Sequence, residues 1–110
     1  MTYWRQTSPA EVSMCGNFFL LMKEWCRKNH ALLHVIYIPY RDELREKRPI
    51  GNHTEMPKFW SDHQIDWVDA TPNLLALKNP YKAYFRIDEH MTSLGHDVLA
   101  QVLLDHLKSE

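Results

Sequence analysis

The sequence predicts an α/β protein built in layers around a small parallel sheet, and three observations carry that expectation. Residues 31–38 (ALLHVIYI) form a nearly unbroken apolar run, rich in β-branched and aromatic residues and closed by Pro39, as expected of a parallel strand covered on both faces. Residues 9–28 repeat apolar side chains at the spacing of a helix. The remaining chain alternates short strand-like and helix-like runs, giving the order helix, strand, helix, strand, helix, extended segment, helix.

The first helix begins at Ser8-Pro9-Ala10-Glu11, where Ser8 can cap, Pro9 sits where its missing N–H costs nothing, and Glu11 closes a capping box. Val12, Cys15, Phe19, Met22 and Cys26 form its expected apolar stripe, widened by Phe18, Leu21 and Trp25. A face that broad calls for a sheet or several helices to cover it, and Gly16 permits a close approach. Asn29-His30 reads as the exit. After the strand at 31–38, residues 41–47 predict a short polar helix and Pro49-Ile-Gly51-Asn52 a turn. Pro57-Lys-Phe-Trp60 is a candidate helix start within the ambiguous stretch 52–63.

Residues 65–69 predict a second strand, and Thr71-Pro72 a brief helix capped by Thr71 and running to Leu77. Asn79-Pro80 breaks it. Residues 81–87 read as a third strand or extended segment, and Thr92 or Ser93 caps a last helix lined by Leu94, Val98, Leu99, Val102, Leu103 and Leu107. Two or three strands make a thin sheet for such apolar helices. An upstream segment or a partner subunit is therefore expected to complete it.

At 110 residues the chain has room for one domain, and 45% hydrophobic with 25% charged residues is a globular composition. A net charge of −1 argues against a nucleic-acid surface, and the cluster Arg41, Arg45, Lys47, Arg48 is interrupted by Asp42, Glu43 and Glu46, as in a solvated face. No apolar run approaches the roughly 18 residues of a membrane span, and the N-terminus lacks the order of a signal peptide, so a cytoplasmic location is expected. Cys15 and Cys26 fall about 16 Å apart on one helix, too far to bridge within it.

The chemistry concentrates in Phe85-Arg-Ile-Asp88-Glu-His90-Met-Thr-Ser-Leu-Gly95-His96-Asp-Val-Leu-Ala100. A carboxylate two residues before a histidine, in a loop leading into a helix, can hold the imidazole's tautomer while the other ring nitrogen takes a proton from a hydroxyl. This block, with the strand ending at Ile38-Pro39 and the run Val68-Asp69-Ala70 before it, resembles the C-terminal portion of the SGNH/GDSL hydrolases. The resemblance covers most of the chain and is most specific over residues 85–100.

What it implies is a partial three-layer α/β/α, flavodoxin-like fold, with residues 1–110 forming the C-terminal half of the hydrolase domain. His90 would be the general base, Asp88 its orienting carboxylate, and His96 a structural residue anchoring the loop. The implied parent is a serine esterase acting on small-molecule or carbohydrate esters without a cofactor. The family's other blocks are missing: no Gly-Asp-Ser follows an N-terminal strand, Ser13 lies inside the first helix, and Ser8 and Ser93 are explained as caps. Gly51-Asn52 only superficially resembles the oxyanion donors, so this chain alone is expected to be inactive.

Two other readings compete. A metal site could draw on Asp88, His90 and His96 with His53, Asp62 or His63, but their spacing matches no compact ligand motif. A degenerate, non-catalytic domain could instead use an exposed sheet edge to oligomerise or bind protein. Trp4, Trp25, Trp60 and Trp67 offer contact area for this, although each is expected in or near a core.

Overall fold

The computed structural model describes residues 9–48 and 55–109. It is a mixed α/β chain with a two-stranded parallel sheet and several helices. The expected caps and turn at Ser8, Gly51 and Asn52, together with Trp4 and His53, lie outside the described residues. Two compact units divide the chain, one formed from the residues up to Val35 together with the stretch that ends at Trp67, the other from Ile36–Arg48 and the residues from Val68 onward. Strands β1 (His34–Tyr37) and β2 (Asp66–Asp69) pair with each other, and each contributes residues to both units. β1 is half the expected length, and its four residues are half-buried rather than enclosed.

The first unit is built from α1 (Pro9–Lys28) and α3 (Glu55–Asp62). Pro57 stands in the first turn of α3, where a missing N–H is tolerated. Gly16 is the buried residue of α1, and a Cβ there would lie 2.5 Å from the Phe59 ring, so only glycine admits this contact. Phe19 meets Trp60 edge-on at 5.2 Å, Trp60 tilts against Trp67 at 5.8 Å, and Met56 and Ile65 complete the buried set. Lys23 donates to the His63 carbonyl at 2.7 Å.

These contacts partly cover Val12, Phe19 and Cys26 of the expected stripe but centre the covered side on Gly16 and Lys23. The close approach at Gly16 brings cover to the side holding Phe19 and Lys23, leaving Cys15 and Met22 exposed together with Phe18, Leu21 and Trp25. The buried indole N–H of Trp60 has no partner among the described residues, an arrangement that costs about 1–3 kcal/mol.

The second unit closes a core of Leu44, Ala70, Leu74, Ala83, Tyr84 and Val102. Helix α2 (Arg41–Glu46) supplies Leu44 and departs from the expected polar face, since Asp42 and Glu43 are buried with it. Their burial is compensated: Glu43 accepts from the Tyr37 hydroxyl at 2.7 Å and the Tyr40 backbone N–H at 2.8 Å, and Asp42 pairs with Arg45 at 3.2 Å. Helix α4 (Thr71–Leu75) is shorter than expected. Thr71 is its first residue rather than its cap, and the Asp69 carboxylate accepts the Thr71 N–H at 2.8 Å.

The third strand expected at 81–87 does not form. Pro80 instead opens a 3-10 turn, Pro80–Ala83, and only Tyr84 bridges antiparallel to Met91. Pro80's fixed φ and lost N–H suit a helical first turn and disfavour a ladder. Helix α5 (Ser93–Lys108) follows, capped by Thr92, whose hydroxyl accepts the Gly95 N–H at 3.4 Å. Ser93, given above as an alternative cap, is the helix's first residue. A side chain at Gly95 would run into the Ala83 carbonyl, so this glycine sets how closely α5 approaches the 3-10 turn. Among the described residues no helix is long and apolar enough to cross a membrane.

Candidate functional site

The loop between Tyr84 and Met91 belongs to the second unit and carries the Asp88–His90 pair. It is closed at its base by the Phe85 N–H donating to the His90 carbonyl at 2.7 Å and the Thr92 N–H donating to the Ala83 carbonyl at 2.9 Å. Inside it, Asp88 makes an Asx turn, its Oδ1 accepting the His90 backbone N–H at 3.1 Å. The other carboxylate oxygen stands 3.4 Å from His90 Nδ1. Glu89 between them has φ 62°, a left-handed conformation costly for a non-glycine residue, which brings residues 88 and 90 to the same side of the turn.

Electrostatics agree with that geometry. The His90 backbone N–H, followed by its ring, holds the Asp88 carboxyl below the usual carboxylate range. The carboxylate is thus a ready acceptor for an Nδ1–H, which would direct the lone pair of Nε2 outward. Both side chains are open to solvent, His90 at 83% and Asp88 at 58%. The pair is therefore close in space but lacks the water-excluded setting in which such electrostatic interactions are strongest.

The loop is braced by a residue far away in sequence. Arg41, at the start of α2, donates to the carbonyls of Arg86 at 2.6 Å and Phe85 at 3.2 Å and pairs with Glu89 at 3.2 Å. Sequence reading assigned Arg41 to a solvated cluster; the structure makes it the clamp of the Asp–His loop. Its charge alone could not reveal this, because the carbonyls it meets lie more than 40 positions downstream.

Beside the loop, and within the same unit, an open cleft of about 880 Å³ takes Phe85 and Arg86 from the loop, Lys82 and Tyr81 from the 3-10 turn, and Ser93 and Leu94 from α5. His90 and Asp88 are not among its lining residues. Ser93 is among its lining residues, but no hydroxyl among the described residues is hydrogen-bonded to His90. His96 does not anchor the loop through its ring: it is exposed on α5, and its hydrogen bond is that of its backbone N–H to the Thr92 carbonyl at 2.9 Å. Asp88, His90 and His96 belong to the second unit, and Asp62 and His63 to the first.

Within the first unit, His34 and Asp66 form a pair that sequence reading missed. His34 Nδ1 lies 2.6 Å from an Asp66 carboxylate oxygen, joining neighbouring strands, with both side chains partly covered. The strand pairing that aligns them is the only signal that could have found it. Tyr37 and Tyr84 are likewise shaped by tertiary structure. Burial raises the Tyr37 phenol well above its ordinary range, with Glu43 adding to the effect, and burial pushes Tyr84 up to about 12, assisted by the charges of Glu43 and Glu89. No family model matches this chain, nor does any curated protein or solved structure.

Proposed function

We propose that this chain is the histidine-bearing C-terminal half of an SGNH-like acyl-ester hydrolase, in which His90 is the general base and Asp88 its orienting carboxylate. The reading is supported above all by the Asp88–His90 turn, where one carboxylate engages the backbone N–H of His90 and approaches its Nδ1. In that role Nε2 takes the proton of a serine hydroxyl as its oxygen bonds to the ester carbonyl carbon, then returns the proton to the departing alkoxide. The hydroxyl and the oxyanion donors come from a complementing segment, which also completes the flavodoxin-like sheet. No cofactor enters these steps.

The adjoining cleft suits the alcohol or acyl part of a small or carbohydrate ester, with the aromatic surfaces of Tyr81 and Phe85 beside the cations of Lys82 and Arg86. A cytoplasmic location belongs to this reading and is consistent with the free thiols of Cys15 and Cys26. A non-catalytic, protein-binding domain is the second reading, favoured by the apolar residues left exposed on α1.

Nitrogen-15 NMR of the His90 ring tests the assignment. The expected result is the Nδ1–H tautomer, with Asp88→Asn shifting the proton toward Nε2; a ring that carries its proton on Nε2 and ignores this substitution refutes the base-and-carboxylate role. Intact-mass analysis after a fluorophosphonate probe should show no adduct on the isolated chain. An adduct lost in His90→Ala would place the nucleophile within this chain and overturn the complementing segment.

A further inference from the structure

We propose that α1 is a self-association surface on which two copies of this chain pair their first helices antiparallel, along Met14, Phe18, Leu21 and Trp25. The inference is independent of the hydrolase reading, since it involves neither Asp88 nor His90. These four residues follow a strict 4-3-4 spacing, the narrow seam by which one helix meets another, rather than the broader face that a helix lays on a sheet. With Met22 alongside, they are between 42% and 66% exposed. The opposite side of the helix is already used by Gly16, against Phe59, and by Lys23, bonded to His63.

The size of the stripe fits a second copy. Aromatic side chains such as Phe18 and Trp25 offer about 150–250 Å² each, and with Met14, Leu21 and Met22 beside them, all five roughly half exposed, the stripe leaves on the order of 500–600 Å² per copy. Self-pairing would remove up to about 1,200 Å² in total, the lower bound of a stable, specific interface. A contiguous apolar patch of this extent stands at the top of the range of about 300–600 Å² found for the largest patch on a monomer.

Register and charge select the antiparallel arrangement. Setting Phe18 against the second copy's Leu21 also sets Trp25 against Met14, so every apolar layer is filled and a thioether meets an indole. One layer further out on each side, the same register brings Glu11 to the second copy's Lys28. Lys28 reaches its own Glu24 only at 4.0 Å, an exposed contact of little strength. A parallel pairing would place Glu11 beside Glu11 and Lys28 beside Lys28, with like charges at both ends. On the flanks, Cys15 falls beside Met22 and Asn17 beside Glu24 of the second copy.

Sedimentation velocity and light scattering on the full chain at tens of micromolar should give twice the monomer mass of 13.1 kDa. Leu21→Glu, a change at an exposed position, should reduce this to the monomer mass while leaving the circular dichroism spectrum unaltered. A monomeric native chain, or a dimer that persists in Leu21→Glu, overturns the proposal. Orientation is tested with Met22→Cys in a Cys26→Ser background. Positions 15 and 22 lie about 10.5 Å apart along one helix and cannot bridge within a chain. Oxidation should therefore yield a covalent dimer linking Cys15 of one copy to the thiol at position 22 of the other. A bond joining the two position-22 thiols, or no cross-linked dimer, overturns the antiparallel register.

Discussion

The two units of this chain distribute their apolar residues differently. In the second, Leu44, Leu74, Tyr84 and Val102 come from four different segments and close a core, while its charged residues are drawn inward to tie loops down. In the first, Met56, Trp60 and Ile65 are buried, yet Met14, Phe18, Leu21 and Trp25 stand in water on a single helix. Burial follows from a folded-over chain, not from helical amphipathicity alone: the second unit buries apolar residues from separate segments against one another while Phe85, Ile87 and Leu104 stay exposed, and the first leaves one continuous side of α1 exposed.

The largest expected effect separates the two directly. Leu74 is fully buried in the second core, and Leu74→Ala should cost about 2–5 kcal/mol of unfolding free energy, from lost transfer energy and the cavity left behind. Phe18→Ala should cost less than about 1 kcal/mol for a chain measured as a monomer, because a scattered surface substitution changes little. Urea unfolding of both variants at two protein concentrations checks the contrast. A large, concentration-independent loss in Phe18→Ala would mean that α1's exposed side is part of a core, and the comparison would fail.

A smaller effect, in pH, belongs to the second unit. Tyr37 and Tyr84 are raised above the phenol value near 10, so above that pH the native state binds more protons than the unfolded chain. Their contribution is complete below about pH 10 and declines as pH rises, for Tyr84 through its value of about 12. Stability should therefore fall across pH 10 to 12, and Tyr37→Phe should flatten the slope. Because Glu43 would then lose one partner, that variant should start from a lower stability at pH 7.

How much of this was legible in the sequence depended on the range of the interactions. Local signals worked: Pro9 at the start of α1, Pro39 after β1, Pro72 in the first turn of α4 and Thr92 before α5 each act within a few residues, although the cap expected from Thr71 fell to Asp69. The Asp88–His90 turn was legible for the same reason. Features set by contacts across the chain were not. Which side of α1 would be covered depended on Phe59 meeting Gly16, and the burial of Glu43 depended on Tyr37 lying across from it. Pro80 could have warned against a third strand, since the apolar character of residues 81–87 says nothing about whether a neighbouring strand exists to pair with them.

Arg41 gives the smallest and sharpest test, because it distinguishes a braced loop from one that merely rests in place. Two carbonyls and Glu89 converge on its guanidinium, and the fork geometry cannot be reproduced by an ammonium. Arg41→Lys should leave the global unfolding midpoint within about 0.5 kcal/mol of the native chain, as its side chain is not part of the apolar core. Amide exchange should nevertheless accelerate at Phe85 and His90, where the loop is closed, and remain unchanged in α5. Faster exchange confined to the loop would show that Asp88 and His90 are held in register from α2, 44 to 48 positions away in sequence. Unchanged exchange would mean that the Asx turn and the Tyr84–Met91 bridge suffice, and that the second unit's long-range ties stop at its core.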